Sequence, residues 1–248
     1  MDAVRVVFAG PAGRTGRATG AALDRLGGVQ IVGAIGRRSA GQDLGALWHG
    51  VADGRRIYAG AGDALAELRP DALCDFTVAE AAAGHLRLAL LAGVRPVVGT
   101  TGLGEDVLRE ADGICRERGL AAAVIANFSV VSGLLGRLAL EALPYFEGAE
   151  LIEMHAATKR DKPSGTALRL KGALEAAGER EVPVHSVRLS GLVAHQEVLF
   201  GAPGEVLTLR HDALDRSCYA AGVRLALLGI GHAHGLVRDL GAFVTGEG

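Results

Sequence analysis

Cysteine is scarce in this sequence: Cys74, Cys115 and Cys218 are three among 248 residues. An odd number with no CxxC pair excludes a disulfide framework and gives no zinc-site pattern, and it fits a reducing, cytoplasmic setting. An excess of one charge is also missing. The 26 basic residues face 28 acidic ones, so there is no broad positive field to hold nucleic acid or an anionic membrane. Long apolar runs are absent too, none reaching the roughly 18–20 residues that a spanning helix requires. The first apolar run, residues 4–9, has no preceding basic segment and is too short for a signal core, so neither export nor membrane insertion is expected. No internal repeat or low-complexity tract occurs.

What the chain has is aliphatic residues and glycine. Hydrophobic residues make up 49% and charged ones 22%, the range of a folded globular protein with one large domain or two small ones. The 37 glycines fall at the ends of apolar runs, where tight turns and close backbone approach use them.

Residues 4–9 read as a buried strand, 15–26 as a helix and 30–35 as a second strand. After an irregular stretch with a short helix near 43–48 come helix 63–68, strand 72–76, helix 80–92, strand 96–98, helix 105–118 and strand 121–125. Strands joined through helices pair in parallel with right-handed crossovers, and apolar strands without strict alternation are covered on both faces. The expected fold class is therefore α/β, a Rossmann-like doubly wound parallel sheet. Past residue 127 the rhythm changes to helix 134–143, strand 149–155, helix 164–177 and three strand-like runs at 184–188, 197–200 and 205–211. That pattern predicts a smaller α+β domain with an open mixed sheet and helices on one face. A last helix at 218–228 is compatible with packing on either domain.

Gly10-Pro-Ala-Gly13-Arg-Thr-Gly16 joins the first strand to the first helix, where backbone N–H groups and the helix dipole can hold a pyrophosphate. Its spacing is wider than GxGxxG, and a merely tight turn is the alternative. The second strand ends in Val32-Gly-Ala-Ile35 and runs into Gly36-Arg37-Arg38-Ser39. No acid is there to bond a ribose 2′-hydroxyl, whereas Arg37, helped by Arg38 or Ser39, suits a 2′-phosphate. NADPH is thus the expected cofactor, with NADH possible; a solvated basic turn is the competing reading. Gly99-Thr100-Thr101-Gly102 lies at the carboxyl edge of another strand, where ligands bind in open parallel sheets and small residues admit a nicotinamide ribose. Asp75-Phe76-Thr77 holds the equivalent edge of the preceding strand, and either segment reads equally as a helix-capping turn.

The densest chemistry is Glu153-Met-His155-Ala-Ala-Thr-Lys159-Arg-Asp161-Lys-Pro163-Ser164-Gly165-Thr166. Pro163 and Ser164 mark a helix start, so free N–H groups, two hydroxyls and a positive dipole end converge where a carboxylate fits. Lys159 adds a cation, and His155, four residues before it, a group that titrates near neutral pH. His195, His211, Arg188 and Arg216 are read at least as readily as structural. His232 and His234 have no nearby thiol or carboxylate cluster, so no metal site is expected.

With these motifs in order, the chain resembles the dihydrodipicolinate reductase family of bacterial lysine and diaminopimelate biosynthesis. The likeness rests on the glycine turn, Asp75-Phe-Thr77, Val98-Gly-Thr-Thr-Gly102, Ala126-Asn-Phe-Ser129, the stretch from Glu153 to Ala167, and Val187 to Arg216. The resemblance implies a dinucleotide-binding domain over 1–126, to which 213–248 returns, and a substrate-binding and oligomerisation domain over 127–212. It also implies a homotetramer built through the substrate-domain sheets. The implied reaction passes a hydride from NAD(P)H to a cyclic dicarboxylate and adds a proton at the neighbouring ring position. By position, His155 matches the proton donor and Lys159 the second catalytic cation. Gly165 and Thr166, with Ser164 adjacent, match the clamp on a substrate carboxylate. Gly10, Gly13, Arg14, Thr15, Gly99, Thr100 and Thr101 match nucleotide contacts, and Ala126, Asn127 and Phe128 the segment near the nicotinamide. The chain departs from the family at Ala156, where a second histidine is common, at Gly36, often an acid, and at Thr15, often methionine. Two alternatives stay open at this point: a reductase of another cyclic imine, and a non-catalytic NADP(H)-binding sensor.

Overall fold

Short apolar strands alternate with helices through the first half of the chain in the computed structural model, which describes residues 2–244. The order is β1 (Val4–Ala9), α1 (Arg14–Leu23), β2 (Val29–Ile35), α2 (Leu44–His49), β3 (Ile57–Tyr58), α3 (Ala61–Leu68), β4 (Ala72–Asp75), α4 (Ala79–Leu91), β5 (Arg95–Val98), α5 (Glu105–Arg118) and β6 (Ala121–Val124). There follow α6 (Val130–Ala142), β7 (Gly148–His155), α7 (Gly165–Gly178), β8 (Val184–Arg188), β9 (Ala194–Ala202), β10 (Glu205–Ala213), α8 (Ala220–Gly229), β11 (Gly235–Val237) and α9 (Gly241–Val244). Two units result: the described residues up to Phe128 together with those from Arg216 onward, and Ser129–Asp215.

The first unit is built on a parallel sheet of seven strands in the order β11-β6-β5-β4-β1-β2-β3. Strand order reverses at β1, which leaves a topological switch point between β1 and β4, the place where such sheets bind ligands. Crossover helices cover both faces, with α3, α4 and α5 on one and α1 and α8 on the other. Val6, Val7, Phe8 and Ala9 are therefore all 0% exposed, which is why β1 reads as an unbroken apolar run. Burying a side chain such as Phe8 contributes on the order of 1.5–3 kcal/mol relative to leaving it in water.

Two strands carry no periodic signal. β3 pairs with β2 only through Ala34↔Ile57 and Ile35↔Tyr58. It is brought in by Asp43, which caps α2 by accepting from Ala46 N at 2.8 Å and also accepts from Gly54 N at 2.7 Å. β11 adds to the sheet edge along Ala121, Ala122 and Ala123, and Asp112 fixes it by accepting from Leu236 N at 2.9 Å. The helix expected at 218–228 begins instead as a 3-10 turn at Arg216–Tyr219 before α8. Thr19 Oγ1 of α1 donates to the Arg216 carbonyl at 2.9 Å.

The second unit carries a four-stranded sheet in the order β10-β9-β7-β8. Its β7–β8 pair is parallel and the others antiparallel, a mixed sheet. Helices α6 and α7 close one face over Ala149, Leu151, Val198 and Phe200. α6 starts at Val130, ahead of the expected 134, because Ser129 caps it by accepting from Ser132 N at 3.1 Å. The β-branched pair Val130 and Val131, weak helix formers, hid that start. β9 and β10 also outrun their apolar cores, since they pair with each other from Glu205↔Ala202 to Ala213↔Ala194. Alternation along β7 sets Ala149, Leu151, Glu153 and His155 on one face. That face therefore turns from apolar to ionisable toward the end of the strand.

Candidate functional site

Each unit gathers one set of candidate residues. In the first, β1 ends at Gly10, whose φ of +85° suits glycine, and a Cβ there would fall 2.7 Å from the Phe76 carbonyl oxygen. A Cβ on Gly16 would fall 2.1 Å from the Gly10 oxygen, so these two glycines let the turn and α1 close on each other. Trp48 anchors the turn from below, its Nε1 donating to the Pro11 carbonyl at 3.0 Å. Gly13 is the N-cap of α1 and no side chain caps that helix, which leaves the first-turn amides, at the positive dipole end, to an anion.

Thr15, Phe76, Thr77, Val78, Ala79, Gly99, Thr100 and Thr101 line a pocket of about 420 Å³ at the carboxyl ends of β4 and β5, within the roughly 300–1,000 Å³ of small-molecule sites. Gly99 keeps it open, because a Cβ there would meet the Phe76 ring at 2.3 Å. Phe76 itself stacks on Phe8 with centroids 5.9 Å apart and packs against Phe128 at the same separation. Beneath the pocket, Asp75 is 0% exposed. Its Oδ1 accepts from Thr77 N, Thr77 Oγ1 and Thr100 Oγ1 at 2.8, 2.6 and 3.1 Å, and its Oδ2 lies 2.6 Å from His85 Nδ1.

Of the residues singled out for a nucleotide, Thr15, Gly99, Thr100 and Thr101 thus share one pocket, and Gly10, Gly13 and Arg14 belong to the adjoining turn. Arg37 stands exposed in the 3-10 turn after β2, with Gly36 before it and Ser39 buried. Ala126 is exposed, Asn127 half-buried and Phe128 buried after β6, none of them among the lining residues. An uncapped helix start, a turn that admits no Cβ at Gly10 or Gly16 and a pocket beside the switch point together fit a dinucleotide.

In the second unit the buried Glu153 hydrogen-bonds His155 Nδ1 with Oε2, while its Oε1 accepts from Arg188 Nη2 at 2.6 Å. Arg188 lies opposite His155 in the β7–β8 ladder. Its side chain is 5% exposed, and it also donates to the Asp161 carbonyl at 2.6 Å and its neighbour's carbonyl, that of Val187, at 2.7 Å. Burial pushes the Glu153 carboxyl up, but hydrogen bonds from Arg188, Ser186 and His155 outweigh it and hold it below the usual glutamate range. Burial lowers the His155 imidazole, Glu153 pulls it back up, and the Lys159 and Arg188 charges leave it below the ordinary histidine value.

Lys159 Nζ pairs with Asp161 Oδ2 at 2.8 Å. Ser164, 2% exposed, caps α7 by accepting from Ala167 N at 3.2 Å. Gly165 and Thr166 form the accessible first turn of that helix. His155, Lys159 and the start of α7 thus lie on one continuous segment running from the last residue of β7. His195 and His211 are bonded within this unit, His195 Nδ1 to Asp212 at 2.6 Å and His211 Nε2 to Ser129 Oγ at 3.2 Å. Sequence reasoning assigned Glu153 and Arg188 no role. A charged residue continuing the core-facing alternation of Ala149 and Leu151 was the available signal, since such a residue must find a buried partner. No cluster of three or more metal-ligating side chains and no helix able to cross a membrane occurs among the described residues.

The family profile described as Dihydrodipicolinate reductase, N-terminus matches residues 4–128, and that described as Dihydrodipicolinate reductase, C-terminus matches 130–241. The 4-hydroxy-tetrahydrodipicolinate reductase of Symbiobacterium thermophilum is 45% identical over 229 residues, 90% of each chain. That of Geobacillus kaustophilus is 38% identical over 258 residues, 96% of this chain and 97% of its own. A solved structure of dipicolinate-bound dihydrodipicolinate reductase from Paenisporosarcina sp. TG-14 superposes with a TM-score of 0.82 at 28% identity, covering 96% of this chain and 98% of that one. Sequence and fold agree over nearly the full length, and the chain belongs to the dihydrodipicolinate reductase family.

Proposed function

We propose that the protein reduces 4-hydroxy-tetrahydrodipicolinate to tetrahydrodipicolinate in lysine and diaminopimelate biosynthesis, with NADPH preferred over NADH. Water leaves the substrate ring, and one hydride and one proton are added. The observation that carries this reading is the Glu153-bound imidazole of His155 on the same segment as Lys159 and the start of α7. When bound, the reduced nicotinamide supplies the hydride. In the first unit, the Arg14 and Thr15 amides, presented by the Gly10–Gly13 turn whose Gly13 N–H closes on the Gly10 carbonyl, would hold the pyrophosphate and Arg37 the 2′-phosphate. Gly99, Thr100 and Thr101, with Ala126, Asn127 and Phe128, would receive the nicotinamide nucleoside.

In the second unit the Glu153 bond occupies His155 Nδ1 and leaves Nε2 as the atom that gives a proton to the ring carbon next to the one reduced. The Gly165 and Thr166 amides hold one substrate carboxylate at the dipole end of α7, with Ser164 shaping that turn as its cap. Lys159 exchanges Asp161 for substrate and neutralises charge that builds as the ring is reduced.

The bare face of the four-stranded sheet supports a homotetramer: it presents Ile152, Met154 and Leu199, with Val187 and Val206 38% and 66% exposed. Sedimentation at micromolar concentration tests it. A cytoplasmic location is inferred from a biosynthetic reaction that draws on NADPH. Ala156, where the family commonly carries histidine, favours one second reading, a cyclic imine with a single carboxylate. The deciding assay follows NADPH and NADH oxidation with the enzymically generated lysine-pathway intermediate. Turnover with that intermediate supports the leading reading, and turnover with a monocarboxylate imine alone supports the second.

A further inference from the structure

Asp75 has no exposed surface, and its Oδ1 receives both Thr77 Oγ1 and Thr100 Oγ1 as donors at 2.6 and 3.1 Å. A hydroxyl carries one proton and two lone pairs, and a free threonine rotates to offer either. Thr100 has given its proton to a carboxylate that has none to return, and so has Thr77, whose other acceptor, the Val78 carbonyl, is longer at 3.4 Å and likewise returns none. What they present to the pocket they line, beside Gly99 and Thr101, is lone pairs. His85, on α4, fixes the other oxygen of Asp75 at 2.6 Å, and the stacking of Phe76 on Phe8 immobilises the residue between Asp75 and Thr77.

We propose that Asp75, braced by His85, is a positioning residue that sets the hydrogen-bond polarity of the nicotinamide end of the site. It makes Thr77 and Thr100 obligatory acceptors, so the pocket takes a donor of the nicotinamide nucleoside, either the carboxamide N–H or a ribose hydroxyl. The inference rests on the cofactor reading above and adds which groups of the cofactor are recognised. Hydroxyls oriented before binding lose no rotational freedom when the ligand arrives, and a ligand group offering only lone pairs meets repulsion.

The test is fluorescence titration of NADPH, with 2′,5′-ADP as a competing ligand that lacks the nicotinamide nucleoside. Thr77→Val and Thr100→Val should each weaken NADPH about tenfold, the loss of one hydrogen bond that a buried carboxylate polarises, and leave 2′,5′-ADP within about twofold. Asp75→Ala should weaken NADPH to a similar degree, and adding Thr100→Val to it should cost little more, because the hydroxyl is already released. The 3-carboxylate analogue of NADPH identifies the donor. Discrimination against it by wild type that Thr100→Val abolishes assigns the carboxamide, and equal binding of both dinucleotides assigns a ribose hydroxyl. Unchanged NADPH binding in both valine variants overturns the inference. So does independent multiplication of the Asp75→Ala and Thr100→Val effects, or parallel loss of 2′,5′-ADP. Wild-type protein that binds neither ligand overturns the cofactor reading and this inference with it.

Discussion

Glu153 joins His155 Nδ1 to the Arg188 guanidinium through its two carboxylate oxygens. One fully buried acid thereby fixes the ring orientation of the proposed proton donor and is itself neutralised from the neighbouring strand. A carboxylate on Nδ1 selects the tautomer and stabilises the imidazolium. Arg188 also holds the Asp161 carbonyl, and the exposed Asp161 carboxylate holds Lys159, so Lys159 and His155 are both tied to Arg188, His155 through the buried Glu153 and Lys159 through the solvent-exposed Asp161.

Removing the imidazole tests this arrangement most directly. His155→Ala and Lys159→Ala should each lower kcat by about a hundredfold or more, the range that general acid catalysis supplies. Glu153→Gln should lower kcat by about tenfold with a smaller change in KM, because the acid acts through His155 rather than on substrate. Steady-state kinetics on the three purified variants decide it, and near-wild-type turnover in His155→Ala would remove the proposed site.

The pH dependence follows from the depressed imidazole. Burial, with the Lys159 and Arg188 charges, holds His155 below 6.5 against the pull of Glu153. A general acid must be protonated, so kcat/KM should climb as pH falls through neutrality and level off only below 6.5. A dicarboxylate bound beside His155 should raise its value, visible as an upward shift of the imidazole titration by NMR. Stability runs the opposite way. As pH falls the unfolded chain takes up this proton first, so the contribution is complete above 6.5 and is lost as pH drops toward the lower folded value. The urea midpoint of His155→Gln should therefore fall less steeply on acidification than that of wild type.

Breaking the ion pair should cost the fold as well as the site. Glu153 and the Arg188 side chain are 0% and 5% exposed, and removing one member of a buried pair leaves an uncompensated charge, costing about 3–5 kcal/mol. Arg188→Met should lose stability on that scale in urea denaturation, and replacing both residues by methionine should cost less than either change alone. A loss in the double variant equal to the sum of the two single losses would mean that the pair is not coupled.

The sheet was legible where burial on both faces wrote itself as continuous apolar runs, as in β1 and β4. It was illegible where strand pairing is imposed from outside: β3 and β11 are two and three residues long and exist because Asp43 and Asp112 deliver them to an edge. Sites behaved alike. The glycine turn and the stretch from Glu153 to Thr166 are contiguous, so their chemistry shows in one dimension. Arg188, 35 positions from Glu153, and His85, ten from Asp75, act through pairings that only the folded sheet and helix create. Ser164 was legible as a helix start, but its burial as a cap was not.

Cofactor choice should reside at the end of β2. Gly36 gives no acid to bond a 2′-hydroxyl, and Arg37 stands exposed beside it. A Cβ at position 36 would fall 2.6 Å from the buried Ser39 hydroxyl and 3.3 Å from Pro11, so an acid enters only by displacing Ser39. A charge-assisted hydrogen bond to phosphate is worth about 1.5–3 kcal/mol, or roughly tenfold to a hundredfold in affinity. Arg37→Ala should therefore lower kcat/KM for NADPH by at least tenfold while leaving NADH within about twofold, because NADH carries no phosphate there to lose. Gly36→Asp should lower the NADPH value too, by repulsion, and lower stability through the Ser39 contact. Kinetics with both cofactors separate the cases: if NADPH and NADH fall together in Arg37→Ala, the residue supports the turn and does not read the phosphate.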